Sequence, residues 1–139
     1  MKRYFIDSNI FLRVIAKENE KSFRECFDFL QKVENRKIDT VTSNVVLAEV
    51  VWVLDSFYKV SKTKIVEALE RMKASRFFKL VDNFDFDLAL ASYSRYGIKY
   101  VDALIASNLD IRSKKWTIVS YDRDFDKLGI IRKEPSQII

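Results

Sequence analysis

A chain of 139 residues with 48% apolar and 32% charged side chains is long enough for one buried core and too short for two domains. No segment approaches the roughly 18 uninterrupted apolar residues of a membrane span. The absence of histidine excludes His acid–base pairs and His-ligated zinc, the single cysteine can close no internal disulfide, and the net charge of +5 mildly favours a polyanionic partner.

The N-terminus, Met1 to Asp7, reaches an aspartate before any long apolar run and is not a signal peptide, so a cytoplasmic location is the expectation. With two glycines and one proline, the chain has few breakers and reads as largely helical with short joints. Lys2 to Ile6 reads as a buried strand, followed by a helix from Ser8 to Lys17 with Ile10, Phe11, Val14 and Ile15 on one face. Ser22 to Glu34 is a second amphipathic helix, presenting Phe23, Phe27, Leu30 and Val33 and carrying Cys26 as a buried thiol. Ile38 to Val41 is a strand, Asn44 to Tyr58 a strongly apolar helix, and Ser61 to Lys73 a helix with Lys62, Lys64, Glu67, Glu70 and Lys73 facing solvent.

Phe77 to Val81 returns to strand, and Phe84 to Tyr96 is a helix closed by Gly97. Tyr100 to Ile111 is a helix, Trp116 to Ser120 an apolar strand, and Asp122 to Leu128 a short helix closed by Gly129. Helices interleaved with short apolar strands predict an α/β fold, a three-layer α/β/α sandwich built on a short, mostly parallel sheet. In such sheets ligands sit beyond the carboxyl ends of the strands, where strand order reverses.

Four carboxylates fall where that rule makes them interesting. Asp7 directly follows the first strand; it can cap the next helix, as can Ser8, although Ile10 stands where a capping box wants Glu or Gln. Asp122 follows the strand Trp116 to Ser120 in the same way. Glu49 lies in Val45-Val46-Leu47-Ala48-Glu49-Val50-Val51-Trp52, a helix apolar all round and so expected to be buried all round. Its neighbours one turn away are Val45, Val46, Trp52 and Val53, leaving a distant Lys or Arg, or a metal, to balance its charge. Asp102 lies in the first turn of its helix, where the helix dipole and nearby Lys99 offer a structural role. Carboxylates held close together repel unless a cation lies among them, and hard oxygen ligands suit Mg²⁺ or Mn²⁺. By contrast, Asp82, Asp85 and Asp87 lack the spacing and glycine of a calcium loop and read as charges starting the Phe84 helix. Asp126 is expected to face solvent, and Asp124 lies near enough to Asp122 to act as a secondary ligand.

The segments Phe5 to Arg13 (FIDSNIFLR), Leu47 to Val50 (LAEV), Tyr100 to Ala106 (YVDALIA) and Ser120 to Phe125 (SYDRDF) together resemble a PIN domain, and specifically the VapC-type toxins of toxin–antitoxin pairs. They occur in the family's order, and the resemblance covers essentially all of residues 1–139 as a single PIN-like nuclease domain. It implies a Mg²⁺- or Mn²⁺-dependent endoribonuclease holding one or two ions, with Asp7, Glu49, Asp102 and Asp122 on the acidic quartet. Asn9 and Ser120 fall on site-ordering polar positions (many relatives carry Thr where Ser120 stands), and Asp124 on an additional acid. A homodimer and a small antitoxin blocking the site are likewise implied.

On that resemblance, a metal held by Asp7, Asp102 and Asp122 activates water for phosphodiester hydrolysis, leaving 5′-phosphate and 3′-hydroxyl ends. Glu49 completes the coordination or accepts the proton. Arg13, Lys99 and Arg123 are candidate contacts to RNA phosphates, each also readable as a solvated surface charge. The alternatives are a PIN-type RNA-processing nuclease without an antitoxin, and a non-catalytic metal- or RNA-binding PIN module.

Overall fold

The computed structural model describes residues 2–138. Four short strands, β1 (Arg3–Ile6), β2 (Asp39–Val41), β3 (Trp116–Val119) and β4 (Arg132–Lys133), form one parallel sheet in the order β2-β1-β3-β4. Helices α1 (Ser8–Ala16) and α2 (Glu20–Glu34) join β1 to β2. Helices α3 (Asn44–Ser56), α4 (Lys62–Lys73), α5 (Phe86–Arg95), α6 (Tyr100–Ala106) and α7 (Leu109–Arg112) join β2 to β3. The first connection steps to one side of β1 and the second crosses to the other. Right-handed crossovers in opposite directions put helices on both faces of the sheet, which is the expected α/β/α sandwich.

The centre of the sheet is made by sequence that can only be buried. Phe5, Ile6, Ile118 and Val119 have no exposed surface, and covering each such side chain contributes about 1.5–3 kcal/mol. Helix starts are set by short polar residues: Asp7, Asn19, Ser43, Ser61, Asp85 and Asn108 each accept a backbone N–H of the helix that follows. Lys99, at the start of α6, supplies no such side-chain bond.

Several local expectations need correction. The Phe77–Val81 strand shrinks to a single parallel bridge between Thr42 and Leu80, held by Thr42 N–H on Lys79 O and Val81 N–H on Thr42 O. The Tyr100–Ile111 helix breaks in two, because Ser107 Oγ donates to Leu104 O and Asn108 Oδ1 takes the N–H groups of Asp110 and Ile111. Gly97 does not close α5, which ends at an extended Tyr96, whereas Gly129 does take the left-handed conformation (φ 68°) after the 3-10 turn Arg123–Leu128. Strand β4 escapes the pattern because it is two charged residues on a sheet edge, recognisable only from the bonds its flanks make to β3. On α2 the buried face is Ser22, Cys26, Phe29 and Val33, and Phe27 is turned outward.

The largest correction concerns α3. Val46, Val50 and Leu54 are buried, but Trp52 is 66% exposed and Ala48 also faces solvent. In so small a domain this helix meets the core on one side only. Its other apolar side, with Val66 and Leu69 of α4 and with Phe78, lines an open groove.

Candidate metal centre

Asp7 lies where β1 ends and α1 begins, and it is buried. Its N–H donates to Val119 O at 3.1 Å, tying the carboxyl ends of β1 and β3 together. Oδ1 accepts the Ser8 N–H at 2.8 Å, and Oδ2 accepts Ser120 Oγ at 2.7 Å and Asn9 Nδ2 at 3.2 Å. It is therefore a helix cap and more than a helix cap. Asn9 Nδ2 also donates to Ser120 Oγ at 2.9 Å, Asn9 Oδ1 accepts the Tyr121 N–H at 3.2 Å, and Ser120 Oγ accepts the Asp122 N–H at 3.0 Å. One short network thus orients Asp7 and the start of the Asp122 turn.

Asp102 projects from the first turn of α6 with 1% of its surface exposed. Its Oδ2 is fully enclosed and has no hydrogen-bond donor. Carboxylate oxygens of Asp102, Asp122 and Asp124 lie within 4.8 Å of one another. Lys99 Nζ sits 3.5 Å from Asp122 Oδ2 rather than pairing with Asp102, and Lys127 Nζ sits 3.1 Å from Asp124 Oδ1. Glu49 stands at the margin, accepting the Ser8 hydroxyl on Oε1. In the sequence Ser8 reads only as an alternative cap, and its reach across to α3 has no signal there.

The electrostatics follow from this crowding. Burial pushes Asp7 up from 3.8 to about 6, helped by the charge of Glu49 and opposed by the Ser120 and Ser8 bonds and by Lys99. Burial pushes Asp102 up to about 8, with Asp7 and Asp122 adding to the rise and Lys99 resisting it. For Asp122 burial also works upward, but the Asp124 N–H, Asp102 and Lys99 outweigh it and hold the group below its ordinary range. Burial works to lower Lys99, yet the surrounding Asp102, Glu49, Asp122 and Asp7 raise it. Two buried carboxyls that resist ionisation, one with an oxygen lacking any donor, form a donor set that suits a hard divalent cation.

Residues 4–131 match the PIN domain family. The chain belongs to the PIN domain family. No curated protein sequence matches it, but solved structures of the same fold do. VapBC2 of Rickettsia felis, solved bound to a DNA fragment from its promoter, is 19% identical with a TM-score of 0.64 over 95% of this chain and 98% of that one. FitAcB of Neisseria gonorrhoeae is 17% identical with a TM-score of 0.64, covering 97% and 99% of the two chains. VapC20 of Mycobacterium tuberculosis, described as a sarcin–ricin loop cleaving toxin, is 17% identical with a TM-score of 0.60, covering 92% and 96%. At these identities the likeness is one of fold.

Within the PIN domain, the remaining predicted positions fall as follows. Arg13 lies half-buried on α1 with its guanidinium 4.5 Å above the Tyr121 ring, and Arg123 is exposed directly after Asp122. Tyr121, which the sequence did not single out, is anchored by its hydroxyl donating to Glu25 Oε1 at 2.9 Å. Cys26 is buried as expected, its Sγ 3.6 Å from that hydroxyl, and burial raises the thiol to about 11, which makes it inert. Asp85 caps α5 and Asp87 follows in its first turn. Asp82 does not join them: it accepts Ser43 Oγ, the Asn44 N–H and Asn44 Nδ2, each at 2.8 Å, and so holds the start of α3. Asp126 is exposed and paired with Arg132. Among the described residues no helix is long and apolar enough to cross a membrane.

Proposed function

We propose that this PIN domain is a divalent-metal-dependent endoribonuclease and the toxin component of a toxin–antitoxin pair. The observation that carries the reading is the convergence of Asp102, Asp122 and Asp124 within 4.8 Å, next to an Asp7 held by three donors, at the end of the sheet where strand order reverses. The residues suited to hold Mg²⁺ or Mn²⁺ are Asp102, Asp122 and Asp124, with Asp7 beside them and Glu49 at the margin. Such an ion lowers the pKa of water and offsets charge that develops on a phosphate.

The protein's own groups supply the remaining parts. Ser120 and Asn9 fix the Asp7 carboxylate, and the Ser8 hydroxyl fixes Glu49 through Oε1, leaving Oε2 to accept a proton from the attacking water. Lys99, whose ammonium the acidic cluster stabilises, and exposed Arg123 flank the carboxylates as the contacts we assign to an RNA backbone. Water as the nucleophile leaves 5′-phosphate and 3′-hydroxyl ends.

The toxin assignment draws on the VapBC and FitAB neighbours and on apolar surface. Exposed Trp52 marks the α3–α4 groove, and Phe86, Leu90 and Tyr93 form an exposed stripe on α5. These two faces are what an antitoxin and a second copy of the chain would cover.

The test is cleavage of total RNA with Mg²⁺, with Mn²⁺ and with EDTA, mapping the new 5′ ends, alongside Asp102→Asn. Metal-dependent cuts with 5′-phosphates that vanish in the variant support the reading. Cuts ending in 2′,3′-cyclic phosphate, or undiminished in EDTA, contradict it. Growth arrest on expression, relieved by a small neighbouring gene, separates a toxin from an RNA-processing nuclease.

A further inference from the structure

Beside the carboxylates lies a second recess, lined by Asn9, Arg13, Glu18, Asn19, Ser22 and Tyr58, with a volume of about 220 Å³. It shares Asn9 with the acidic network, so a strand crossing the carboxylates can place its neighbouring nucleotide there. The recess is built between α1 and the start of α2, with Tyr58 closing it from beyond α3.

Its polar groups divide into occupied and unoccupied ones. The Asn9 amide is committed to Asp7, Ser120 and Tyr121, and Asn19 Oδ1 to the Ser22 N–H. Arg13 is different. Its guanidinium is stacked on Tyr121, and among the described residues no carboxylate lies within 4.0 Å of it. A half-buried guanidinium lying over an anchored ring, with no carboxylate in contact, keeps its N–H donors for a ligand. On the Tyr58 side, Glu18 is exposed and without a cationic partner among the described residues; Tyr58's phenol is raised first by burial and then by its hydrogen bond to the Glu18 carboxylate, which leaves that carboxylate's other lone pairs open.

We propose that this recess takes the base of a nucleotide flanking the cut and prefers guanine. An unpaired phosphate alone would be repelled by Glu18, whereas a base that presents acceptors to Arg13 and donors to Glu18 satisfies both. Guanine offers O6 and N7 as acceptors to a guanidinium, and its N1–H and N2–H groups as a pair of donors to a carboxylate. Adenine and cytosine have a single exocyclic amino group to give. The cavity has room for one base, in keeping with recognition of unpaired nucleotides stacked on Tyr or Arg planes. The proposal rests on the nuclease reading of the adjoining site for its biological sense, but base binding itself needs no cleavage.

The experiment is a titration of the metal-free protein with 5′-GMP, AMP, CMP and UMP followed by NMR, repeated with Glu18→Gln, an exposed position outside any helix. GMP binds about tenfold more tightly than the other three, with the largest shifts at Arg13 and Tyr58, and Glu18→Gln removes the preference. Equal binding of all four, shifts centred elsewhere, or a GMP preference that survives Glu18→Gln overturns it. Mapping cut sites separates the two proposals. GMP preference without RNA cleavage defeats the nuclease reading alone, and cleavage with no guanine at a fixed flanking position defeats this recess alone.

Discussion

The two ends of the same sheet treat their aspartates in opposite ways. At the amino end of β2, Asp39 accepts Arg3 Nε at 2.8 Å and Lys79 Nζ at 3.0 Å, and Arg3 in turn lies over the Trp116 ring. Burial works to raise its carboxyl, but these two cations more than offset that and hold it low. At the carboxyl end, Asp102 is more deeply enclosed, has an oxygen with no donor and is pushed up to about 8. Among the described residues, Asp39 has two cations in direct contact, whereas Asp102 has none: Lys99 reaches Asp122 instead, and Lys127 reaches Asp124. Structural acids are commonly placed where cations of the same chain can touch them; an acid enclosed without such a contact, as Asp102 is, becomes a candidate for a cation from outside.

The comparison breaks first at Asp102. Replacing it with Asn should reduce metal-dependent RNA cleavage by more than about 100-fold, beyond the range typical of groups that only orient metal ligands. Assays across Mg²⁺ and Mn²⁺ concentrations check this, and near-normal cleavage at saturating metal would count against it. Ser120→Ala should follow, removing the hydroxyl that serves Asp7, Asn9 and the Asp122 N–H. We expect a loss of about 10- to 100-fold in activity or metal affinity, seen as a raised metal requirement. A Ser120→Thr variant keeps the hydroxyl and should retain most of the activity.

At the other end the signs reverse. Asp39→Asn should leave cleavage unchanged and cost about 1 kcal/mol of stability, a loss that shrinks at high salt, measured by urea unfolding. Because Asp39 is held below 3.8, its contribution is present above that pH and lost as acid protonates it. Asp7 and Asp102, at about 6 and about 8, hold protons in the folded state that the unfolded chain releases near 3.8. Without metal, folding stability should therefore fall as pH rises from about 4 toward 8, while metal affinity rises across the same window.

How much of this was legible beforehand depended on whether chemistry or tertiary context decided each residue. Asp7 and Asp122 stand out because each ends an apolar strand, while Asp102, in the first turn of its helix beside Lys99, reads as a helix-start charge and gains weight only in the company of the other three carboxylates. The central strands and main helices could be read because Phe5, Ile6, Ile118 and Val119 have nowhere to go but inside. Glu49 draws notice from a helix whose apolar sequence predicts burial all round, and exposed Trp52 shows that this prediction fails: an apolar pattern cannot tell a core face from an exposed one. The break at Ser107 and Asn108, the capture of Asp82 by α3 and the Ser8 bond to Glu49 all depend on side chains finding partners distant in the chain or competing locally with the backbone. RNA as the substrate is implied by the family resemblance alone, whereas the proposal of a cation draws on the carboxylates themselves.

The most direct test of that cation site is thermal unfolding at pH 7.5 or thereabouts, with and without millimolar Mg²⁺ or Mn²⁺, for the parent protein and Asp102→Asn. The parent should gain several degrees with metal, while the metal-free variant, relieved of a buried carboxylate, should be the more stable of the two by on the order of 1–3 kcal/mol and gain little from metal. A parent protein indifferent to both ions, together with a variant that is less stable without them, would contradict the account.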